Sequence, residues 1–183
     1  LSSLARQHKA KLASQESRAA FRARAYALVL LGENEEAVKI LDKLVAETPD
    51  DHPARVLLAR AKSELGDFEG AGKILKAVVA EDPRNEDAWF ALGKYTIMAG
   101  DSKRAVDDYL ARAQILANRL DDAHMKANVT HALGIGYQNL GQLDVAAETF
   151  GQAIQARKAV GDTRGVAVSL RNLSTVRAVQ GDF

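Results

Sequence analysis

Apolar residues alternate with polar stretches along this chain in a pattern that repeats with a fixed step. The segment GENEEAVKIL, starting at Gly32, recurs as GDFEGAGKIL at Gly66 and as GDSKRAVDDYL at Gly100, so that both steps are 34 residues. The apolar positions keep that step: Ala37, Ala71 and Ala105, then Leu41, Leu75 and Tyr109. A repeat of this length predicts stacked copies of one supersecondary unit.

The step lengthens in the second half of the chain. The distance from Gly100 to Gly141 is 41 residues, and that from Gly141 to Gly181 is 40. The apolar positions persist around Ala146 and Phe150. We therefore expect the later units to have the same design with longer helices.

Each unit is predicted to be two antiparallel helices, helix A followed by helix B. Helix A is expected at residues 18–31, 52–65, 86–99, 123–140 and 164–180, and helix B at residues 34–47, 68–81, 102–120 and 143–160. Each helix A ends at a glycine, which adopts the left-handed conformation at low cost. Pro49 and Pro83 stop the first two B helices. Aspartates follow three of the glycines and are expected to cap helix B: Asp67, Asp101 and Asp182.

Small residues occur where paired helices must approach closely. They are Ala25, Ala59, Gly93, Gly134 and Ser174 in helix A, and Ala37, Ala71, Ala105 and Ala146 in helix B. Larger apolar residues surround them. The positions that define the repeat are Gly32, Ala37, Gly66, Ala71, Trp89, Gly93, Gly100, Ala105, Gly134, Gly141 and Ala146.

These residues resemble the signature of the tetratricopeptide repeat (TPR) family. Trp89-Phe-Ala-Leu-Gly93 followed by Ala105-x3-Tyr109 is similar to the family pattern W-x2-L-G … A-x3-F. The later units resemble the 40-residue variety found in kinesin light chains, spindle-orientation scaffolds and bacterial regulators. Lys62 and Thr96 depart from the pattern, because an aromatic residue is usual there. The resemblance implies an all-α, right-handed superhelical solenoid of antiparallel helix pairs.

The repeats divide the chain into one array with an incomplete unit at each end. We expect a leading helix at 1–17, repeat 1 at 18–51, repeat 2 at 52–85, repeat 3 at 86–122, repeat 4 at 123–163 and a partial repeat 5 at 164–183. The leading helix is interpreted as helix B of a preceding unit. Arrays normally end in a solvating cap, so the sequence predicts a fragment or an array that continues.

The family resemblance also implies a binding groove, because helix A lines the concave face in this family. The implied groove residues are Arg22, Tyr26, Arg60, Phe90, Lys94, His131, Gln138, Arg171 and Asn172, with Val29, Val56, Ser63, Ile97, Ile135, Thr175 and Ala178 at related positions. Glu64 and Asp87 are the acidic members. The excess of cations predicts a peptide or helix of acidic character as the ligand. The asparagines and lysine of the family's chaperone-tail clamp are replaced by Tyr26, Leu57 and Asp87, so chaperone tails are not expected.

Composition narrows the remaining chemistry. There is no cysteine, which removes thiolate and disulfide chemistry. His124 and His131 are seven residues apart and lack the spacing of a metal pair, so we expect no metal, cofactor or catalytic residue. Residues 1–31 carry six Lys/Arg against one acid, residues 32–154 carry 14 against 21, and residues 155–183 carry five against two. This uneven charge argues against nucleic acid, and no apolar run reaches membrane-spanning length.

Two functions fit these observations. The first is a scaffold or adaptor for protein–protein interaction, and the second is a regulatory or sensor module excised from a larger signalling or cell-envelope assembly protein. No residue constellation predicts an enzyme. Self-association stays open, and so does the compartment, with the cytoplasm favoured over the periplasm. The use of alanine and arginine indicates a bacterium with a GC-rich genome.

Overall fold

The computed structural model of this chain is built of α-helices arranged in two compact units, Leu1–Val78 and Val79–Phe183. It describes the backbone of residues 2–181 and the side chains of residues 17–181. Within that part of the chain there is no β-strand. Consecutive helices pack pairwise, as the repeat pattern predicts.

The first unit contains helices α1 (Ser2–Leu31), α2 (Asn34–Glu47) and α3 (His52–Glu64), with most of α4 (Phe68–Glu81). Helix α1 packs against both α2 and α3, and α2 also packs against α3. The apolar face of each helix supplies this core: Ala25, Val29, Ala37, Leu41, Leu44, Ala54, Leu58 and Ala61.

The second unit begins with α5 (Glu86–Met98), the short α6 (Ser102–Arg104), a π-helical turn (Ala105–Leu110) and α7 (Ala111–Leu120). It continues with α8 (Ala123–Asn139), α9 (Leu143–Ala159) and α10 (Thr163–Gln180). Helix α8 packs against α5, α9 and α10, and α9 packs against α10. The core between them includes Leu110, Val129, Leu133, Phe150 and Val176.

The predicted helix ends are confirmed to within one residue from α2 onward. The glycines at 32, 66, 100, 141 and 181 have φ values between 74° and 93°, the left-handed region that glycine tolerates best. The Asp67 and Asp101 side chains accept hydrogen bonds from the backbone N–H groups of Gly70 (2.8 Å) and Arg104 (3.2 Å). Asp182 lies outside the described residues.

Two glycines show why small residues recur in helix A. A Cβ atom on Gly93 would lie 2.6 Å from the Leu110 side chain, and one on Gly134 would lie 2.7 Å from the Phe150 ring. Contacts this short are not tolerated, so each glycine allows the neighbouring helix its close approach. Ser174, grouped with these residues by the sequence, is instead exposed.

Two features differ from the sequence prediction. Helix α1 runs without interruption from Ser2 to Leu31, so residues 2–17 do not form a separate leading helix. The physical reason is that no glycine or proline occurs between Ser2 and Leu31 to end a helix. The third helix B also contains the π-helical turn, which includes Tyr109. A turn of this kind accommodates an extra residue in a helix. No local sequence pattern indicates it.

Candidate functional site

Helices α1 and α3 of the first unit present a face on which three predicted groove residues meet; we call Arg22, Tyr26 and Arg60 the α1–α3 face. The Tyr26 side chain is 47% exposed. The Arg60 guanidinium lies over its ring, with Cζ 5.8 Å from the ring centroid. This distance falls within the range of a cation–π interaction. The sequence prediction thus placed two groove residues that the structure brings into contact.

The charge of Arg22 is already balanced within the chain. Its Nη1 atom lies 2.5 Å from Oδ2 of Asp51, whose side chain is only 6% exposed. The other Asp51 oxygen accepts a hydrogen bond from the Ala54 backbone N–H at 3.0 Å and caps α3. A cleft of about 380 Å³ opens beside this pair, lined by Arg18, Arg22, Asp50, Asp51 and Pro53. Arg22 therefore holds α1 to the start of α3 and offers little charge to a ligand.

The other predicted groove residues of the second unit come from α5, α8 and α10; we call Phe90, Lys94, Gln138, Arg171 and Asn172 the α8 face. Helix α8 packs against both α5 and α10, so these side chains come from neighbouring helices. Arg171 and Lys94 are exposed, and Gln138 and Asn172 are partly buried. Phe90 packs against the apolar core. The face thus presents exposed cations and half-buried amides.

His131 does not belong to this face, contrary to the sequence prediction. It is 8% exposed and packs against Phe150, with ring centroids 5.5 Å apart. Its Nδ1 atom lies 3.0 Å from Ser169 Oγ. Nη1 of Arg157 donates to the same Ser169 oxygen at 3.0 Å, and the serine hydroxyl can donate to a neutral His131 ring. The prediction was wrong because the side of α8 on which His131 lies packs against α9 and α10 instead of facing a groove.

The environment of His131 keeps its imidazole neutral. Burial lowers the pKa of His131 from its usual 6.5 to about 4, and the positive charges of Arg157 and Arg171 act in the same direction. Arg157 also donates to the Gly165 carbonyl at 2.5 Å and pairs loosely with Asp162. The histidine is thus part of a buried polar network that ties α8 to α10.

Three other positions implied for the groove are buried as well. Val29 belongs to the core of the first unit and Ile97 to that of the second. Ser63 is 2% exposed, and its hydroxyl donates to the Arg60 carbonyl at 2.8 Å. All three lie near the C-terminal end of a helix A, where the positions implied for the groove are buried in the core.

An acidic corner, formed by Glu86, Asp87 and Asp122, lies at the start of α5 and α8. Desolvation raises the pKa of Glu86 and of Asp87, and the Asp122 carboxylate adds to both shifts. Asp122 also caps α8, because its Oδ1 accepts from the Met125 N–H at 2.8 Å. Mutual repulsion at this corner disfavours an acidic ligand there.

Two other kinds of site are absent from the described part of the chain. It contains no group of three His, Asp or Glu side chains arranged to hold a metal ion. None of its helices combines the length and the apolarity needed to cross a membrane.

Sequence reasoning missed Asp51, Arg157 and Ser169. Asp51 precedes His52-Pro53 at the beginning of a predicted helix, which is a recognisable capping signal. Its partner Arg22 is 29 residues away, and no local pattern indicates that contact. Arg157 and Ser169 have no signal in one sequence, because their contacts with His131 depend on how three helices pack.

The comparisons with known proteins agree with the helix-pair architecture described above. The family described as tetratricopeptide repeat matches residues 28–95. The chain superposes on the thermophilic TPR protein TTC0263 of Thermus thermophilus with a TM-score of 0.75 and 22% identity, covering 90% of this chain and 84% of that one. A second similar structure contains nearly identical TPR-like repeats assigned to a kinesin light chain from Podosopora anserina. Its TM-score is 0.69 at 20% identity, with 88% of this chain and 86% of that chain covered.

A third similar structure is YrrB, described as a TPR protein with an unusual peptide-binding site. Its TM-score is 0.60 at 20% identity, with 95% of this chain and 83% of that chain covered. The comparison with curated proteins gave no significant match.

Proposed function

Because this chain is a tetratricopeptide repeat protein, we propose that it is a non-catalytic scaffold that binds a segment of another protein along its A helices. Repeats of this family are interaction modules in general. An extended or helical segment of acidic character is the ligand that suits the exposed side chains of the α1–α3 face.

The observation that carries this proposal is the pairing of Tyr26 with Arg60. Tyr26 leaves 47% of its surface exposed, although burying an aromatic ring is normally favourable. Arg60 lies over that ring, with Cζ 5.8 Å from its centroid. Tyrosine and arginine are among the residues that most often dominate binding energy in protein interfaces.

Charge supports an acidic segment in some places and opposes it in others. Arg60 and Arg171 are the cations that would attract carboxylates, whereas the charge of Arg22 is balanced by Asp51. Within the second unit, the acidic corner of Glu86, Asp87 and Asp122 repels an acidic segment. We therefore propose that acidic residues of the ligand lie over Arg60 or Arg171 and away from the start of α5.

The repeat boundaries belong to the same proposal. We assign repeat 1 to residues 18–51, repeat 2 to 52–85, repeat 3 to 86–122 and repeat 4 to 123–163, followed by a partial repeat from 164. Each assigned unit supplies one helix A and one helix B, and the ligand contacts come from the A helices.

The test is a selection of peptides from a randomised display library, followed by affinity measurements on charge-reversed variants. Arg60→Glu and Arg171→Glu change predicted groove positions, whereas Arg24→Glu makes the same change of charge at a position of α1 outside the predicted groove, where the side chain is 64% exposed and lies 3.9 Å from Glu36. We expect the groove variants Arg60→Glu and Arg171→Glu to lose at least about tenfold in affinity for the selected peptides and Arg24→Glu to lose little. Equal affinity for all the variants, or no selected peptide, would contradict the proposal.

A further inference from the structure

Helix α10 is attached to the second unit by few buried side chains. Of its 18 residues, three are buried: Gly165, Ser169 and Val176. Val176 is the one apolar side chain among them, and Leu170 and Val179 are 49% and 66% exposed. Helix α8, by comparison, buries eight of its 17 residues. A helix that buries so little apolar surface opens more readily than its neighbours do.

Polar groups supply the other buried contacts of α10. Ser169 Oγ lies 3.0 Å from Nδ1 of His131 on α8 and accepts from Nη1 of Arg157 on α9 at 3.0 Å. The same Nη1 atom donates to the Gly165 carbonyl at 2.5 Å. His131, Ser169 and Arg157 are 8%, 0% and 7% exposed. We call these three residues the α10 latch, because they join α10 to the two helices against which it packs.

We propose that the α10 latch responds to protons: protonation of His131 releases α10 from α8 and α9 while the rest of the second unit stays folded. Release would uncover Phe150, which shares an apolar cluster with Val176. It would also take Arg171 and Asn172 out of the α8 face, since both side chains belong to α10. The inference concerns a conformational change and does not depend on the proposed binding function.

The charges around His131 disfavour an imidazolium while α10 is closed. A neutral ring can share a hydrogen bond with Ser169, whereas a protonated ring adds a buried positive charge. Burial lowers the pKa of His131 to about 4, and Arg157 of α9 and Arg171 of α10 act in the same direction. The carboxylate in this network, Asp162, lies 3.8 Å from Arg157 Nε and caps the start of α10. Opening α10 hydrates the ring and moves Arg171 away, so the open form binds the proton more tightly.

The size of the effect follows from the two proton affinities. The pKa of His131 is about 4 in the closed form and about 6.5 once the ring is hydrated. The open form therefore takes up the proton first as the pH falls, which favours opening. Between pH 7 and pH 5 the ratio of open to closed chains rises about twentyfold.

The experiment uses the absence of cysteine from the chain, which allows one introduced thiol to report opening. Val176→Cys places that thiol beneath α10, and Val129→Cys makes the same substitution in the core that α8 shares with α5 and α7. Both valines are 0% exposed. The rate of reaction with dithiodipyridine is measured at pH 7 and pH 5 and divided by the rate for a short unstructured peptide carrying the same cysteine.

Matched histidine variants separate His131 from other titrating groups. Each thiol is measured in the otherwise unchanged chain, with His131→Asn, and with His124→Asn, which removes an exposed histidine of the same helix. Circular dichroism checks that every variant is folded at both pH values. Leu173→Cys, at a partly buried position in the same apolar cluster, replaces Val176→Cys if that variant does not fold.

We expect the thiol of Val176→Cys, relative to its peptide, to react about twentyfold faster at pH 5 than at pH 7. At pH 5 it should also react at least about tenfold faster than the thiol of Val129→Cys, because α10 opens without the rest of the unit. The pH response should persist with His124→Asn and disappear with His131→Asn.

Three results would overturn the inference. Equal protection of the two thiols would show that α10 opens only together with the rest of the unit. A pH response that survives His131→Asn would assign the effect to another group. A reaction rate for Val176→Cys that follows its peptide equally at both pH values would show that the latch does not respond to protons. None of these results involves a peptide ligand, so the proposed function is tested separately.

Discussion

The close approach of α8 and α9 at Gly134 gives the sharpest prediction about stability. Phe150 is completely buried, and its ring lies against the backbone of Gly134. In the variant Gly134→Ala, the new methyl group would lie 2.7 Å from ring atoms Cδ1 and Cε1. Since ordinary van der Waals contact between carbon atoms begins at about 3.4 Å, the ring or a helix must shift by roughly 0.7 Å to make room for the methyl group.

The magnitude follows from two opposing effects. Overpacking a close-packed core costs about 1–3 kcal/mol. Replacing a glycine within a helix by alanine stabilises the folded state by about 0.5–1 kcal/mol, because the unfolded chain loses freedom. We therefore expect Gly134→Ala to lower the free energy of unfolding by about 1–2 kcal/mol. For a chain of this size, that lowers Tm by roughly 2–8 °C.

The assay is urea unfolding followed by circular dichroism, with a matched control on α9. A Cβ atom at Gly151 would meet nothing within 4 Å. Gly151→Ala should therefore stabilise the chain by about 0.5–1 kcal/mol. Combining Gly134→Ala with Phe150→Leu should cost less than the sum of the two single changes, because the smaller side chain leaves room for the methyl group. If Gly134→Ala proved as stable as the unchanged protein, the close approach of α8 and α9 would be refuted.

Two further predictions concern the polar contacts. The pKa of His131 is about 4 in the folded chain and 6.5 ordinarily. As pH falls, the unfolded state therefore binds the proton first, which favours unfolding. The folded state keeps its full stability above pH 6.5, and up to about 3 kcal/mol of the free energy of unfolding is lost as pH falls to 4. Unfolding measured across that range should show this loss relative to His131→Asn, and identical pH profiles would disprove it. Asp51→Ala should destabilise the chain by about 0.5–2 kcal/mol because it removes a helix cap. Asp51→Asn keeps the cap and should cost less. Equal losses of stability in urea unfolding would show that the cap contributes nothing.

The helices could be read from the sequence because their signals are local. Glycine at 32, 66 and 100 ends one helix, and the residues that follow begin the next. These signals depend on backbone conformation alone, so the predicted and observed ends agree closely. The same reasoning failed for α1, where a boundary was inferred from where the family signature starts and not from a residue that stops a helix.

The candidate site was less predictable because it depends on which side chains meet. Arg22 and His131 were predicted for the groove together with Arg60, yet Asp51 neutralises the first and Ser169 holds the second in the interior. These partners lie 29 and 38 residues away in the chain. The cation–π contact of Arg60 with Tyr26 is equally nonlocal. Helical position therefore predicted candidates, and only packing could separate the exposed ones from the buried ones.

The central claim, that the A helices bind the partner, is tested most directly by nuclear magnetic resonance of the labelled chain with a selected peptide. The account predicts that backbone amide shifts change on A helices, around Tyr26 on α1 and Arg60 on α3 in the first unit, or on α5, α8 or α10 in the second. Lys39 on α2 and Lys73 on α4 are exposed residues of B helices, and their signals should stay in place. Changes concentrated on α2, α4 and α9, with the A helices unaffected, would contradict it.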